Sequence, residues 1–192
     1  MPTVIPASAL GRDGAVAPSA RITLGGIGLG PRGTLAPKSF LSNPDGRFLA
    51  ICDVRRAALA AIKQLADATY GNTECATYGD MHELLARPDI DAVLIATGDR
   101  WHTLASITVA RAGMDVYCEK PCSMTIAESR ALADAFRRYG RIDQAGTRRR
   151  SIGNFLFAAE LVTGGTLGRL HTVHANTLAP ATSHAWLPAE PE

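Results

Sequence analysis

Residues 22–53 read ITLGGIGLGPRGTLAPKSFLSNPDGRFLAICD, and this stretch decides the fold. It begins with a mostly apolar run, Ile22 to Ile27, which continues into the pattern Gly-x-Gly-x-x-Gly at residues 28–33. A second apolar run, residues 48–52, ends at Asp53, 20 positions beyond the last glycine of the pattern. A strand, a glycine-rich turn, a helix and a second strand that ends in an acidic residue are typical of a dinucleotide-binding unit.

Each glycine of the pattern has its own physical task. Gly28 makes the tight turn, Gly30 lets the backbone approach a pyrophosphate, and Gly33 lets the helix pack close to the strand. Backbone N–H groups at the start of the helix then hold the anion. The carboxylate of Asp53 accepts hydrogen bonds from an adenosine ribose and repels a 2′-phosphate, so the sequence favours NAD over NADP.

Other interpretations of this stretch stay open at this point. Glycines mark any tight strand-to-helix turn, and S-adenosylmethionine-dependent methyltransferases use a related glycine-rich loop followed by an acidic residue. Gly25 and Gly26 lie inside the predicted first strand, where missing side chains weaken it. Arg55 also lies close enough to Asp53 to help accommodate a phosphate.

Length and charge limit the classes of protein that fit. A chain of 192 residues suits one domain and part of a second. The net charge of +2 is too small to indicate a nucleic-acid partner. A local basic stretch, Arg137 to Arg150, is interleaved by one aromatic residue, Tyr139, and predicts a solvated or phosphate-facing patch.

The four cysteines predict free thiols. Cys52, Cys75, Cys118 and Cys122 show neither Cys-x-x-Cys spacing nor a companion histidine pattern. We therefore expect neither a metal site nor a disulfide framework.

Residues 1–20 predict a disordered leader, because three prolines are scattered among Ala, Ser and Gly. They contain neither the basic region nor the continuous apolar region of a signal peptide. No apolar run approaches the length needed to span a membrane. The sequence as given therefore predicts a cytoplasmic protein.

Beyond Asp53, helical and strand patterns alternate as a parallel sheet requires. We predict strands at residues 76–78, 92–96, 116–118 and 142–145. Thr125 and Glu128 form a capping box that opens a helix ending at Gly140, and a further helix precedes the Gly164-Gly165 break. The predicted fold class is α/β, a Rossmann-type doubly wound parallel sheet followed by the start of a second, mixed-sheet α/β domain.

Ligands of open α/β sheets bind at the carboxyl edge, where right-handed crossovers bring the ends of the strands together. Polar residues just after the predicted strands are therefore candidate site residues. They are Asp53, Thr97, Asp99, His102, Glu119, Lys120 and Gln144.

Several segments together resemble the Gfo/Idh/MocA oxidoreductases, a family named for glucose-fructose oxidoreductase and inositol dehydrogenase. The segments that carry the resemblance, from about residue 20 to about residue 176, are Gly28–Gly33, Cys52-Asp53, Asp89–Val93, Trp101-His102, Val116–Pro121 and Gln144–Ser151. The sequence Glu119-Lys120-Pro121 after a strand is the most specific of them and argues against a methyltransferase.

The resemblance implies three regions and an activity. These are the leader at 1–20, an NAD(P)-binding Rossmann domain at 21–147, and at 148–192 the beginning of a domain that binds substrate and forms homo-oligomers. The implied reaction is the oxidation of a secondary alcohol of a sugar or polyol by hydride transfer to the nicotinamide of NAD, with NADP less favoured. The implied cofactor-binding residues are Gly28, Gly30, Arg32, Gly33, Asp53, Thr97, His102, Glu119 and Lys120.

Lys120 is the catalytic candidate implied by the resemblance. Oxidising a secondary alcohol needs a group near the hydroxyl that stabilises developing negative charge or relays its proton. The nicotinamide takes the hydride.

The sequence also departs from the family. Gly98 stands where relatives usually have proline after the residue equivalent to Thr97. His171, His174 and His184 do not match the catalytic aspartate and histidine that relatives carry in their second domain. We therefore expect an incomplete second domain and a chain that binds NAD without reducing it, and a non-catalytic nucleotide-binding module stays an alternative. The leader resembles the segment after a twin-arginine export signal in secreted relatives, which leaves a periplasmic location open.

Overall fold

The structure is a computed structural model that describes residue 5 and residues 7–12, 16–30 and 35–176. The chain divides into two compact units, Met1–Gly146 and Thr147–Glu192, and each is described by itself. The described part of the predicted leader contains two short 3₁₀ turns, Ala7–Leu10 and Pro18–Ala20. That the leader is disordered stays a prediction.

The first unit is built on a six-stranded sheet of order β3-β2-β1-β4-β5-β6, in which every neighbouring pair is parallel. The strands are β1 (Ile22–Ile27), β2 (Gly46–Cys52), β3 (Ala76–Tyr78), β4 (Ala92–Ile95), β5 (Asp115–Cys118) and β6 (Asp143–Ala145). The strand order reverses between β1 and β4, which is the doubly wound arrangement of a Rossmann fold. The predicted fold of this region is confirmed.

Five α-helices accompany these strands in the described part of the first unit. They are α1 (Leu35–Leu41), α2 (Arg56–Tyr70), α3 (Met81–Leu85), α4 (His102–Arg111) and α5 (Ile126–Tyr139). Gly71 and Gly140 end α2 and α5 in the left-handed region, with φ of 67° and 62°. Their N–H groups donate to the carbonyl oxygens of Asp67 and Phe136, respectively.

The predicted capping box at the start of α5 is present. Thr125 Oγ1 accepts a hydrogen bond from the Glu128 N–H at 3.1 Å, and Glu128 Oε2 accepts one from the Thr125 N–H at 3.0 Å. Two N–H groups that have no partner within the helix are thereby satisfied. The same Glu128 oxygen accepts a hydrogen bond from the Met124 N–H at 2.7 Å, which extends the cap one residue outward.

The core forms on both faces of the sheet because alternate residues of a strand point to opposite sides. In β4, Val93 and Ile95 pack in a cluster that includes Val109 of α4. Leu94, between them, packs in a second cluster that includes Ile62 of α2. Strand β4 therefore packs against α4 on one face of the sheet and against α2 on the other.

The glycines inside β1 make room for packing. The pairing of β1 with β2 shifts register between Leu24 and Gly25. A Cβ atom at Gly25 would lie only 2.9 Å from Leu84 Cδ2, so a larger residue would require the Leu84 side chain of α3 to move. From the sequence we expected the missing side chains of Gly25 and Gly26 to weaken the strand. The structure shows that the missing side chain of Gly25 also makes room for Leu84.

The described part of the second unit contains a 3₁₀ turn, Arg148–Ser151, and one helix, α6 (Gly153–Thr163). This helix lies where the sequence predicted it, before Gly164-Gly165. The Arg149 guanidinium lies over the Phe155 ring, 5.3 Å from its centroid. Residues 147–176 include no strand, so the start of a mixed-sheet domain stays a prediction.

None of the helices among the described residues is both long enough and apolar enough to cross a membrane.

The capping box predicts a measurable contribution to stability. Thr125→Ala removes the side-chain acceptor and should lower the free energy of unfolding by about 1 kcal/mol, as loss of a helix cap does. Thr125→Ser keeps the hydroxyl and should stay close to the wild type. Urea unfolding followed by circular dichroism measures both, and equal stabilities for the Ala and Ser variants would contradict the assignment.

Candidate active site

The described candidate site residues, apart from Gln144 within β6, lie at the carboxyl edge of the sheet, where main-chain hydrogen bonds continue past the strand ends. The Gly28 N–H donates to Cys52 O at 2.8 Å, and the Asp53 N–H donates to Tyr78 O at 3.3 Å. The Glu119 N–H donates to Ile95 O at 2.9 Å. The backbone positions of these residues are therefore tied to the sheet. They surround the switch point between β1 and β4, where ligands of such sheets bind.

The turn after β1 is in contact with the loop after β4. Gly28 has a φ of 67°, a conformation that L side chains rarely adopt. A Cβ atom at Gly28 would lie 2.8 Å from Thr97 Cα and would collide with Thr97 Cγ2. Both the backbone angle and the neighbouring loop therefore require glycine. The structure thus brings together Gly28 and Thr97, which the sequence predicted as parts of one site.

Arg55 occupies the space above the second glycine of the motif. A Cβ atom at Gly30 would overlap Arg55 Nη2. The Arg55 N–H donates to Asp53 Oδ1 at 2.9 Å, and Arg55 Nε lies 3.9 Å from the same oxygen. The Asp53 side chain is almost fully buried, whereas that of Arg55 is about a third exposed. A positive charge therefore lies against the glycine turn, close to the carboxylate.

Two predicted site residues, Arg32 and Gly33, lie outside the described residues. Their predicted contact with a pyrophosphate stays a prediction.

His102, the first residue of α4, is buried, with 2% of its surface exposed. Its Nδ1 atom lies 2.6 Å from Pro121 O, and its Nε2 atom lies 3.1 Å from Thr97 O. The next residue, Thr103, donates from Oγ1 to Cys122 O at 3.0 Å. The sequence did not single out Thr103. Its partner lies 19 residues away in the chain, and no local pattern signals such a bond.

Glu119 and Lys120 follow β5 at the same edge. Lys120 is exposed, and its backbone N–H lies 3.3 Å from Glu119 Oε2. Gly146 packs against this turn, because a Cβ atom there would lie 3.0 Å from Glu119 Cα. The Lys120 side chain is therefore accessible from solvent, while the residue before it is closely packed.

The other candidate residues make local contacts. Asp99 Oδ1 accepts a hydrogen bond from the Arg100 N–H at 2.9 Å, and Gln144 Nε2 donates to Ala145 O at 2.9 Å. In the basic stretch, Arg137 pairs with Asp134 at 3.1 Å on the exposed face of α5. Screened surface pairs of this kind contribute little to stability.

The cysteines near the site are free, as predicted. Burial raises the pKa of the Cys52 thiol to about 11 and that of the Cys118 thiol to about 12. Burial also raises the pKa of Cys122, whose side chain is only partly buried. A thiol reacts as its thiolate, so the buried Cys52 and Cys118 react slowly near neutral pH. Among the described residues, no group of three or more His, Cys, Asp or Glu side chains could hold a metal ion.

Comparison with known proteins identifies relatives of this chain. A family model described as an oxidoreductase family with an NAD-binding Rossmann fold matches residues 22–147. Myo-inositol 2-dehydrogenase from Thermotoga maritima is 32% identical over 158 residues, which are 82% of this chain and 46% of that protein. Rhizopine catabolism protein MocA from Rhizobium meliloti is 30% identical over 153 residues, which are 80% of this chain and 46% of that protein.

A solved structure supports the same relationship. The crystal structure of a probable dehydrogenase from Thermotoga maritima superposes with a TM-score of 0.67 at 32% identity. The match covers 77% of this chain and 42% of that one. The chain therefore spans about half the length of the relatives that it matches.

Proposed function

Because the chain belongs to the Gfo/Idh/MocA family of oxidoreductases, we propose that it binds NAD and takes part in hydride transfer from a secondary alcohol of a sugar or polyol. The observation that carries the proposal is the carboxyl edge of the sheet. There the turn at Gly28 and Gly30, the carboxylate of Asp53 and the exposed Lys120 follow β1, β2 and β5. The relative named myo-inositol 2-dehydrogenase supports a polyol as the substrate class.

The residues present fit a dinucleotide. Gly28 packs against Thr97 and Gly30 lies under the Arg55 guanidinium, and because neither glycine carries a side chain, the backbone of this turn, which we call the cradle, can approach a pyrophosphate. Arg55 provides a positive charge beside the cradle. Asp53 has an acceptor oxygen, Oδ2, beyond the Oδ1 atom that Arg55 contacts, and we assign this carboxylate to the adenosine ribose.

Lys120 is the residue that we assign to the substrate hydroxyl. When bound, the nicotinamide supplies the hydride acceptor. The exposed Lys120 Nζ would hold the hydroxyl oxygen and relay its proton. We place Thr97 and Glu119 beside it, bordering the nicotinamide, since both lie at the ends of central strands.

We assign residues 21–147 to the cofactor domain. Residues 148–192 would then begin the domain that binds the substrate and forms homo-oligomers. The boundary between the compact units, after Gly146, supports this division.

The cradle predicts that Gly30→Val weakens NAD binding on the order of 100-fold or more, because the side chain would displace the Arg55 guanidinium from the turn and block the close approach of the pyrophosphate to the backbone. Titration calorimetry measures the affinity. Gly153→Val is the control, because a Cβ atom there meets nothing within 4 Å. Equal NAD affinities for the Gly30 variant and the wild type would disprove the pyrophosphate assignment.

The position of Asp53 predicts cofactor choice. Asp53→Ser removes a negative charge that would repel a 2′-phosphate and leaves Arg55 available, so preference should shift toward NADP. The measurement is the ratio of dissociation constants for NAD and NADP. The double variant Asp53→Ser with Arg55→Ala should lose the gain in NADP affinity. A wild-type chain that already prefers NADP would indicate that Arg55 sets the choice.

The role of Lys120 predicts that, in a chain extended through a complete second domain, Lys120→Ala lowers turnover by roughly 10²- to 10⁴-fold, the usual contribution of general acid–base catalysis. Its NAD affinity should change little, because the side chain is assigned to the substrate. NADH absorbance with myo-inositol and titration calorimetry provide the two measurements. Lys38→Ala, on the exposed face of α1, is the control. If Lys120→Ala lowered NAD affinity and turnover equally, Lys120 would be assigned to cofactor binding alone. If the wild type bound NAD without turnover, the non-catalytic module would be favoured.

A further inference from the structure

Two side chains at the start of α4 bind the carbonyl oxygens of the turn that carries Lys120. We propose that His102 and Thr103 are positioning residues, a pair that we call the α4 clamp, and that they hold residues 120–122 in place beside the loop after β4. The inference rests on the proposed function for its catalytic consequence. The structural part, that the clamp holds the turn, can be tested without turnover.

The imidazole of His102 connects two segments that are distant in sequence. Nδ1 is 2.6 Å from Pro121 O, and Nε2 is 3.1 Å from Thr97 O. Carbonyl oxygens only accept, and a neutral imidazole carries a single N–H, so the tautomer decides which of the two oxygens receives the hydrogen bond while the other nitrogen stays in contact with its oxygen. One ring therefore sets the separation between the loop after β4 and the turn after β5.

The ring is not available to a ligand. Only 2% of His102 is exposed, and each nitrogen lies within hydrogen-bond distance of a backbone oxygen. We therefore replace the cofactor contact predicted for His102 with a positioning role. His102 acts on the site through Thr97 and Pro121, whose carbonyl oxygens its ring contacts.

Thr103 adds a second attachment one residue further along the turn. Its Oγ1 atom donates to Cys122 O at 3.0 Å, and the residue is 8% exposed. A buried bond of this kind is costly to remove, because the carbonyl left behind loses its partner without regaining water. Consecutive side chains of α4 thus bind consecutive carbonyls, those of Pro121 and Cys122.

The clamp is itself firmly placed. Ala105, Ser106, Val109 and Ala110 of α4 are buried, so the helix is packed against the sheet along most of its length. Moving His102 and Thr103 outward together with residues 120–122 would therefore disrupt the packing of α4. The clamp transmits the rigidity of the core to a segment at the surface.

Lys120 lies between two attachments as a result. On one side, the Glu119 N–H donates to Ile95 O at 2.9 Å, and on the other, Pro121 O accepts from His102. The backbone of Lys120 is held while its side chain stays exposed. A catalytic group needs such support, since a misplacement of about 1 Å can lower a rate by about 100-fold.

The two contacts of His102 can be separated by substitution. In His102→Asn, the amide nitrogen lies near the position of Nδ1 and can still donate to Pro121 O. In His102→Gln, the amide nitrogen lies near the position of Nε2 and can still donate to Thr97 O. Cys122 reports on the turn, because its thiol is partly exposed whereas the other three cysteines are buried.

The experiment measures three quantities in the full chain: the rate of Cys122 alkylation by iodoacetamide, resolved by mass spectrometry, the NAD affinity and the turnover with myo-inositol. His102→Gln should speed Cys122 alkylation and lower kcat on the order of 10- to 100-fold with NAD affinity near that of the wild type. His102→Asn should have the opposite effects. Cys122 alkylation should stay as slow as in the wild type, most of the turnover should remain, and the NAD affinity should fall. Identical effects of Asn and Gln, or kcat and affinity falling together in both, would overturn the proposal.

Thr103 provides a second test if the His102 variants do not fold. Thr103→Val is nearly isosteric and should speed Cys122 alkylation, whereas Thr103→Ser keeps the hydroxyl and should restore the slow rate. Equal alkylation rates for Val and Ser would overturn the clamp. A wild type that does not bind NAD would refute the proposed function instead, and the alkylation rates would still decide whether the clamp holds the turn.

Discussion

The parallel ladder between β1 and β4 is the constraint on which the rest of the first unit depends. It brings together the ends of two strands that are separated in sequence by a complete strand-helix-strand unit, and the Ala96 N–H continues it by donating to Ile27 O at 3.0 Å. The turn at Gly28 is thereby pressed against Thr97, leaving no room for a side chain. A strand order that reverses at this point opens the crevice in which a ligand can lie.

Charge is arranged around this crevice in a way that has two consequences for a dinucleotide. Asp53 is buried and accepts a hydrogen bond from the backbone of Arg55, whose guanidinium lies at Gly30. The carboxylate would meet a ribose and disfavour a 2′-phosphate, whereas the guanidinium would attract phosphate of either kind. The same pair of residues therefore contains one group that selects between cofactors and one that binds both.

Much of the fold could be predicted from local sequence. All six predicted strands overlap observed ones, and the capping box at Thr125 and the helix end at Gly140 lie where the pattern placed them. The short helix α3 was not predicted. Its five residues are too few for helical periodicity, although Asp80 Oδ1 caps it by accepting from the His82 N–H at 2.9 Å.

The sequence by itself determined the alternation of strands and helices, the glycine turn and the residues that end each strand, because these depend on side-chain periodicity and backbone preference over a few neighbouring residues. Only the tertiary structure decided what those residues contact. It buried His102 between two carbonyl oxygens, placed Arg55 over Gly30 and packed Leu84 against Gly25. Three of these four contacts join residues 19 or more positions apart, and they are selected by packing between elements, which no local pattern encodes.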